Sequence, residues 1–316
     1  MNLLIGAATI GFILALLGLG IFVSYRIYHT LDLTADGSFG LGAAAVAALL
    51  VGGVHPLVAT AAATAAGTVA GGVTGLVHTQ LLVSALLAGI LTSTALYSVS
   101  LFVMGSGNLS LASAQSLVTL ADRFGERLLG LPPTLTLLGT TVAGGNVATL
   151  ILMALLAGGV ALALALFLGT DLGLAMRAAG NNPQMAKAVA IDVDRMVVLG
   201  LGVSNGLIAL SGALLAQYEG FANIQMGVGA LVTGLAGLLV GEALLGGRRP
   251  MARWIAGAVT GAVIFRLAIA GAVRAGLNPN ALKLLSAFLV LAILALPHLM
   301  RRARRRRAAE LAPRHG

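Results

Sequence analysis

The chain has no cysteine and little charge, and each scarcity narrows what it can be. Without a thiol there is no disulfide and no thiolate metal site. Charged residues make up 9% of the 316 positions, against roughly 25% in an ordinary soluble domain. So few charges cannot cover a water-facing surface. Lysine occurs only as Lys187 and Lys283, which follow Ala and Leu. The Gly-Lys-Ser/Thr end of a P-loop is therefore missing, and the chain does not hydrolyse ATP by that chemistry. The histidines, His29, His55, His78, His298 and His315, include no pair at metal-ligand spacing. Nor does the sequence set out a convergent polar constellation of the kind an enzyme needs. No catalytic residue, metal or cofactor is expected.

Hydrophobicity is what the chain has in abundance, at 59% of residues and a mean hydropathy of +1.01. A helix needs about 20 mainly apolar residues to cross a bilayer, and the sequence meets that length repeatedly. Spans are expected at about 3–25, 39–54, 57–77, 82–104, 146–169, 196–217, 227–246, 254–274 and 281–300. The fold class is an all-α polytopic membrane bundle of about eight or nine crossings, forming one domain over 1–300 with a basic tail at 301–316. Small residues four apart, as in Gly67, Gly71 and Gly75, predict close helix packing. The first charge is Arg26, so no cleaved signal peptide is expected.

Basic residues near helix ends orient such a bundle. The tail from Arg301 to Arg307 is expected in the cytoplasm, where it meets anionic headgroups and not nucleic acid. Counting spans backwards puts Arg248, Arg249 and Arg253 on that same side, together with Arg177, Lys187 and Arg195. Residues 105–145 fall outside, as does the N-terminus if all nine segments cross. In the outer segment Leu117, Leu120, Phe124 and Leu128 recur at helical spacing opposite Asp122, Arg123, Glu126 and Arg127, predicting an amphipathic interfacial helix.

The stretch "AMRAAGNNPQMAKAVAIDVDR", residues 175–195, is a dense polar block inside this apolar chain. Asp171 is expected to cap a short helix through Arg177 that "AGNN" ends, and Asn182 with Pro183 to start a second. About 25 residues with their own caps exceed what a simple connection requires. A partner on the cytoplasmic side is the expected reason.

A second irregular stretch, "TLDLTADGSFG", places Asp32, Thr34, Asp36, Gly37 and Ser38 between apolar runs. Irregular backbone at membrane depth is tolerated only inside protein or beside a wet cavity; a plain turn at Asp36-Gly37 is the simpler alternative. Glu242 and Arg266, isolated charges on successive spans, are expected to pair. Asn205, Ser211, Gln217 and Tyr218 punctuate another span, as interhelical hydrogen-bonding groups or as contacts to a solute.

The segment "RAAGNNPQMAKAVAID" resembles the coupling loop of ABC importer permeases of the branched-chain amino acid and ribose superfamily. "DLTADGSFGLGAA", "ILTSTALYSVSLFVMGSGNLSL", "GVSNGLIALSGALLAQYEGFANIQMGVG", "GLLVGEALLG" and "GLNPNALKLLSAFLVLAILALP" are similar, in order, to the permease of tryptophan and tyrosine uptake systems. Asn181 and Asn223 stand where that pattern often carries Asp.

The resemblance implies a homodimeric permease in the bacterial inner membrane, two copies of a separate ABC ATPase, and an extracytoplasmic solute-binding protein. It assigns ATPase coupling to Arg177, Gly180, Asn181, Asn182, Pro183 and Lys187. It assigns a translocation pathway, beside a broken helix, to Asp32, Thr34, Asp36, Gly37, Ser38 and Asn205. The solute the resemblance implies is an amino acid, of the aromatic kind. An ion-gradient-driven carrier is the alternative function; it would share the broken helix but would not need the capped loop.

Overall fold

The computed structural model describes residues 2–128, 134–137, 140–245 and 251–276, together with Leu284, Phe288 and Leu291. The span expected at 281–300 and the tail at 301–316 fall almost wholly outside those residues. The described part is an all-α helical bundle. Its elements run α1 (Asn2–Ile21, continued as a π-helix over Phe22–Ile27), α2 (Thr34–Val51), α3 (Pro56–Gln80), α4 (Ala85–Met104), β1 (Asn108–Ser110) and α5 (Leu117–Leu128). A hairpin, β2 (Thr134–Leu137) and β3 (Thr140–Ala143), precedes α6 (Gly144–Phe167), α7 (Asp171–Asn181) and α8 (Pro183–Ala188). The chain then forms α9 (Val193–Glu219), β4 (Phe221–Asn223), α10 (Ala230–Leu245) and α11 (Met251–Arg274).

Seven helices among the described residues are long and apolar enough to cross a membrane, and α10 is a shorter apolar helix. Leu155, Leu162 and Leu166 on α6 are 62–70% exposed. Water would penalise such a face and hydrocarbon would not. The chain is a multi-pass membrane protein.

At the centre stands α9. It is capped at its start by Asp192, whose carboxylate accepts from the Arg195 amide at 3.1 Å, and it ends at Gly220 in the left-handed conformation, φ 76°. It lies antiparallel to α1: the Ser204 hydroxyl donates to the Gly20 carbonyl at 2.7 Å and the Ser211 hydroxyl to the Ile13 carbonyl at 2.8 Å. Against its other sides pack α2, through Gly42 and Gly212, and α3, through Gly67 and Gly71. The glycine series foreseen in α3 faces α9, and such small residues let backbones approach closely in lipid. Gln217 ties α9 to two neighbours, donating to the Thr60 hydroxyl at 2.9 Å and accepting from the Leu117 amide at 2.9 Å. Ser211 and Gln217 thus join helices to one another.

The two ends of the bundle differ. At one end β1 pairs antiparallel with β4, and α5 lies across the helices with Leu117 and Ala121 buried and Arg123 and Glu126 exposed. Asp122 of α5 sits against Gly145 at the start of α6. Burial pushes its carboxyl above the usual range, Glu126 adds to the rise, and a hydrogen bond with Thr149 opposes it. Neither short β ladder was foreseen, because three- and four-residue strands carry too little alternation to be read. At the other end lie α7, α8 and the π-helical end of α1.

Candidate functional site

The helix pair α7–α8 forms as the polar block predicts, with adjusted ends. Thr170, not Asp171, caps α7, its hydroxyl accepting from the Gly173 amide at 3.3 Å. Asp171 lies in the first turn, where a carboxylate favours the helix dipole. The helix does not stop at Arg177 but continues through Gly180 to Asn181. The reason is packing: Gly180 lies so close to α1 that a Cβ there would fall 2.1 Å from the Ile27 carbonyl oxygen. The break is a single extended residue, Asn182, whose carboxamide oxygen accepts from the Met185 amide at 3.0 Å and caps α8, with Pro183 in the first turn.

Only Ala186 of α8 is buried, within a small cluster with Ala179 and Val193. Asn181, Asn182, Pro183 and Lys187 are exposed, and so are the apolar side chains of Met185 and Val189, at 56% and 59%. Arg177 is half-buried under α7.

The same end holds a break in the chain. After its π-helical turn α1 stops at Tyr28, whose hydroxyl donates to the Met196 carbonyl and whose ring lies on Gly200. Burial pushes the Tyr28 phenol up from its ordinary value. His29 takes a positive φ of 54°, uncommon for a residue with a Cβ. The chain then turns back into the bundle. Asp32 meets Asn205, which lies about 13 Å further along α9 than Met196 at the rise of an α-helix.

The break lies at 28–33, slightly earlier than its polar residues suggest, and Thr34, Asp36, Gly37 and Ser38 form the first turns of α2. Asp32 accepts from the Asn205 carboxamide nitrogen at 2.7 Å and from the Thr34 amide at 2.9 Å. The Thr34 hydroxyl lies 2.9 Å from that of Thr74 on α3. Asp32, Thr34, Ser38 and Asn205 are all at most 3% exposed. They pack inside the bundle. Among the described residues the Ser38 hydroxyl and the Asn205 carboxamide oxygen have no hydrogen-bond partner.

Asp36 reaches across to α10, accepting from the Gly229 amide at 3.1 Å and the Leu231 amide at 2.8 Å. It thereby satisfies amides at the start of α10 that have no partner within the helix. Gly227 makes this possible, since a Cβ there would fall 2.0 Å from the Asp36 carbonyl oxygen.

The expected pairing of Glu242 with Arg266 is not formed. Glu242 lies 3.9 Å from Arg26 at the end of α1, and the Arg26 guanidinium stacks 4.4 Å from the centroid of the Trp254 ring on α11. Arg266 lies far along α11, in the electrostatic field of Glu219. The reason is topological: α10 packs on α1 as well as on α11, so the acid meets the cation at the α1 terminus first. Arg26, Thr74, Gly227 and the cap on α10 were not singled out from sequence. Arg26 alone carried a signal, as the first charge after an apolar run.

Comparison with known proteins agrees with this architecture. Residues 3–295 match the family described as "Branched-chain amino acid transport system / permease component". The chain is 33% identical over 295 residues to a tyrosine transport system permease protein of Clostridioides difficile, covering 93% of this chain and 91% of that one. It is 31% identical over 243 residues to an uncharacterised protein of Rickettsia prowazekii, covering 77% and 78%. No solved structure matches the chain. A bundle of apolar helices with a break between its first two helices, carrying a capped helix pair at one end, is here the body of a permease component, and the chain belongs to the branched-chain amino acid transport system permease family.

Proposed function

We propose that this chain is the membrane-spanning subunit of an ATP-driven importer of the bacterial inner membrane, carrying an amino acid, with an aromatic one favoured. The observation that carries the reading is α8: a capped helix whose apolar Met185 and C-cap residue Val189 are more than half exposed among the described residues. Such a surface suits a groove on a separate ATPase, which the absence of a P-loop requires. The aromatic solute rests on the similarity to the tyrosine transport permease. A homodimer, one ATPase per copy, and an extracytoplasmic binding protein complete the assembly. The α7–α8 end and the basic tail lie in the cytoplasm, and the β1–β4 end with residues 105–145 lies outside.

The contacts give a route for the stroke. ATP-driven closure of the ATPases displaces α8, and α7 follows because Asn182 joins the two helices without a spacer. Gly180 on the Ile27 carbonyl and Tyr28 on the Met196 carbonyl pass the displacement to the break at 28–33. From there Asp32 and Asn205 connect it to α9, and Asp36 connects it to the start of α10. The break is the element with two arrangements, and alternating access follows from biasing it.

The cysteine-free chain makes the test clean. Met185→Cys, in a complex with the ATPase, is expected to cross-link to a single cysteine placed in the ATPase groove, and ATP is expected to change the yield. Leu155→Cys on the lipid-facing side of α6 is the control. Equal cross-linking at both positions, or none at Met185→Cys, would remove α8 as the docking element.

A further inference from the structure

We propose that the cavity between the π-helical end of α1, α7 and the start of α11 is an oxyanion site, taking a carboxylate or phosphate group. Its volume is about 720 Å³, within the range of small-ligand pockets. Arg26, His29, Arg177, Asn181 and Asn182 line it together with apolar groups such as Met251, and among the described residues no acidic side chain does. Among the described residues neither Arg177 nor His29 has an ion-pair partner. Arg26 shares only a long contact with Glu242, at 3.9 Å. Guanidinium groups match the planar or tetrahedral oxygens of carboxylate and phosphate.

One further detail favours an anion. The carboxamide oxygen of Asn182 is committed to the Met185 amide, which leaves its nitrogen as a donor. The oxyanion has two possible sources: the headgroup of an acidic lipid, or a free cytosolic solute. In either case it would tie Arg26 on α1 to Arg177 on α7 and stiffen the joint through which the stroke passes. That consequence rests on the coupling reading; binding itself does not.

The chain carries a single tryptophan, Trp254, and it stacks on Arg26. Its fluorescence therefore reports on the cavity without any transport assay. In nanodiscs of phosphatidylcholine, inorganic phosphate is expected to change the emission saturably while chloride at equal ionic strength does not. Arg177→Gln is expected to raise the half-saturating concentration at least tenfold, and His29→Gln, at an exposed position, to raise it as well should Arg177→Gln fail to insert. In nanodiscs containing phosphatidylglycerol, an emission already shifted and unresponsive to phosphate identifies the lipid as the source. An unaltered titration there identifies a free anion. Phosphate acting like chloride in phosphatidylcholine, with no shift in phosphatidylglycerol, overturns the site. So does a titration unchanged in both variants.

Discussion

Asp32 is a carboxylate with 3% of its surface exposed, and among the described residues no cation neutralises it. Among the described residues its oxygens accept from the Asn205 carboxamide and the Thr34 amide. Hydrogen bonds to a buried charged group are worth roughly 1.5–3 kcal/mol, and leaving such a group short of a donor costs that much or more. Asn205→Ala is therefore expected to destabilise the detergent-solubilised protein by about 2 kcal/mol, read as a lower unfolding midpoint. The swapped pair, Asp32→Asn with Asn205→Asp, is expected to recover most of that loss. A double variant no better than the sum of its singles would show that the two residues act independently. Sequence reading singled out both residues but not their bond, because 173 positions separate them and no local rule joins them. Glu242 teaches the same lesson. Its charge in an apolar span announced a partner, but which cation it meets depends on the order in which helices pack, and that led to Arg26 instead of Arg266.

The shortest apolar helix, α10, shows most clearly how an element is positioned. Its 16 residues reach about 24 Å, less than the roughly 30 Å of hydrocarbon core. It can therefore begin inside the bundle, where Asp36 of α2 supplies the acceptors its first turn lacks. Replacing Asp36 with Ala leaves two amides without that acceptor and is expected to cost about 1–2 kcal/mol, the scale of a lost helix cap. Hydrogen exchange should rise at Gly229 to Leu231 and stay unchanged in α6. Exchange that rises equally in both would mean a general loss of stability, not a lost cap. The apolar spans were readable from hydropathy because length and composition suffice for them. The start of α2 was not: Asp36, Gly37 and Ser38 look like a turn, yet they are helical, with Asp36 held by amides of α10 and Gly37 packed against α4. The caps of α8 and α9 were local signals of the readable kind, although at α7 the cap moved one residue, to Thr170.

For the molecule as a whole, the apolar exterior and the family match over residues 3–295 make a permease, while the proposed coupling role puts the entry of force at the exposed helix α8. Class and family were legible from sequence because they rest on composition and on contiguous motifs. The joint between α7 and the end of α1 was not, since Gly180 reads as a helix breaker until the Ile27 carbonyl is seen beneath it. The most direct test of the account is uptake by proteoliposomes holding this chain with its ATPase and binding protein, with Gly180→Val as the probe of the joint. The account predicts uptake that requires ATP hydrolysis, and a Gly180→Val variant that inserts and binds the ATPase yet loses at least nine-tenths of transport, a tenfold drop equal to about 1.4 kcal/mol in the barrier. Uptake that proceeds without the ATPase and follows an ion gradient would contradict it.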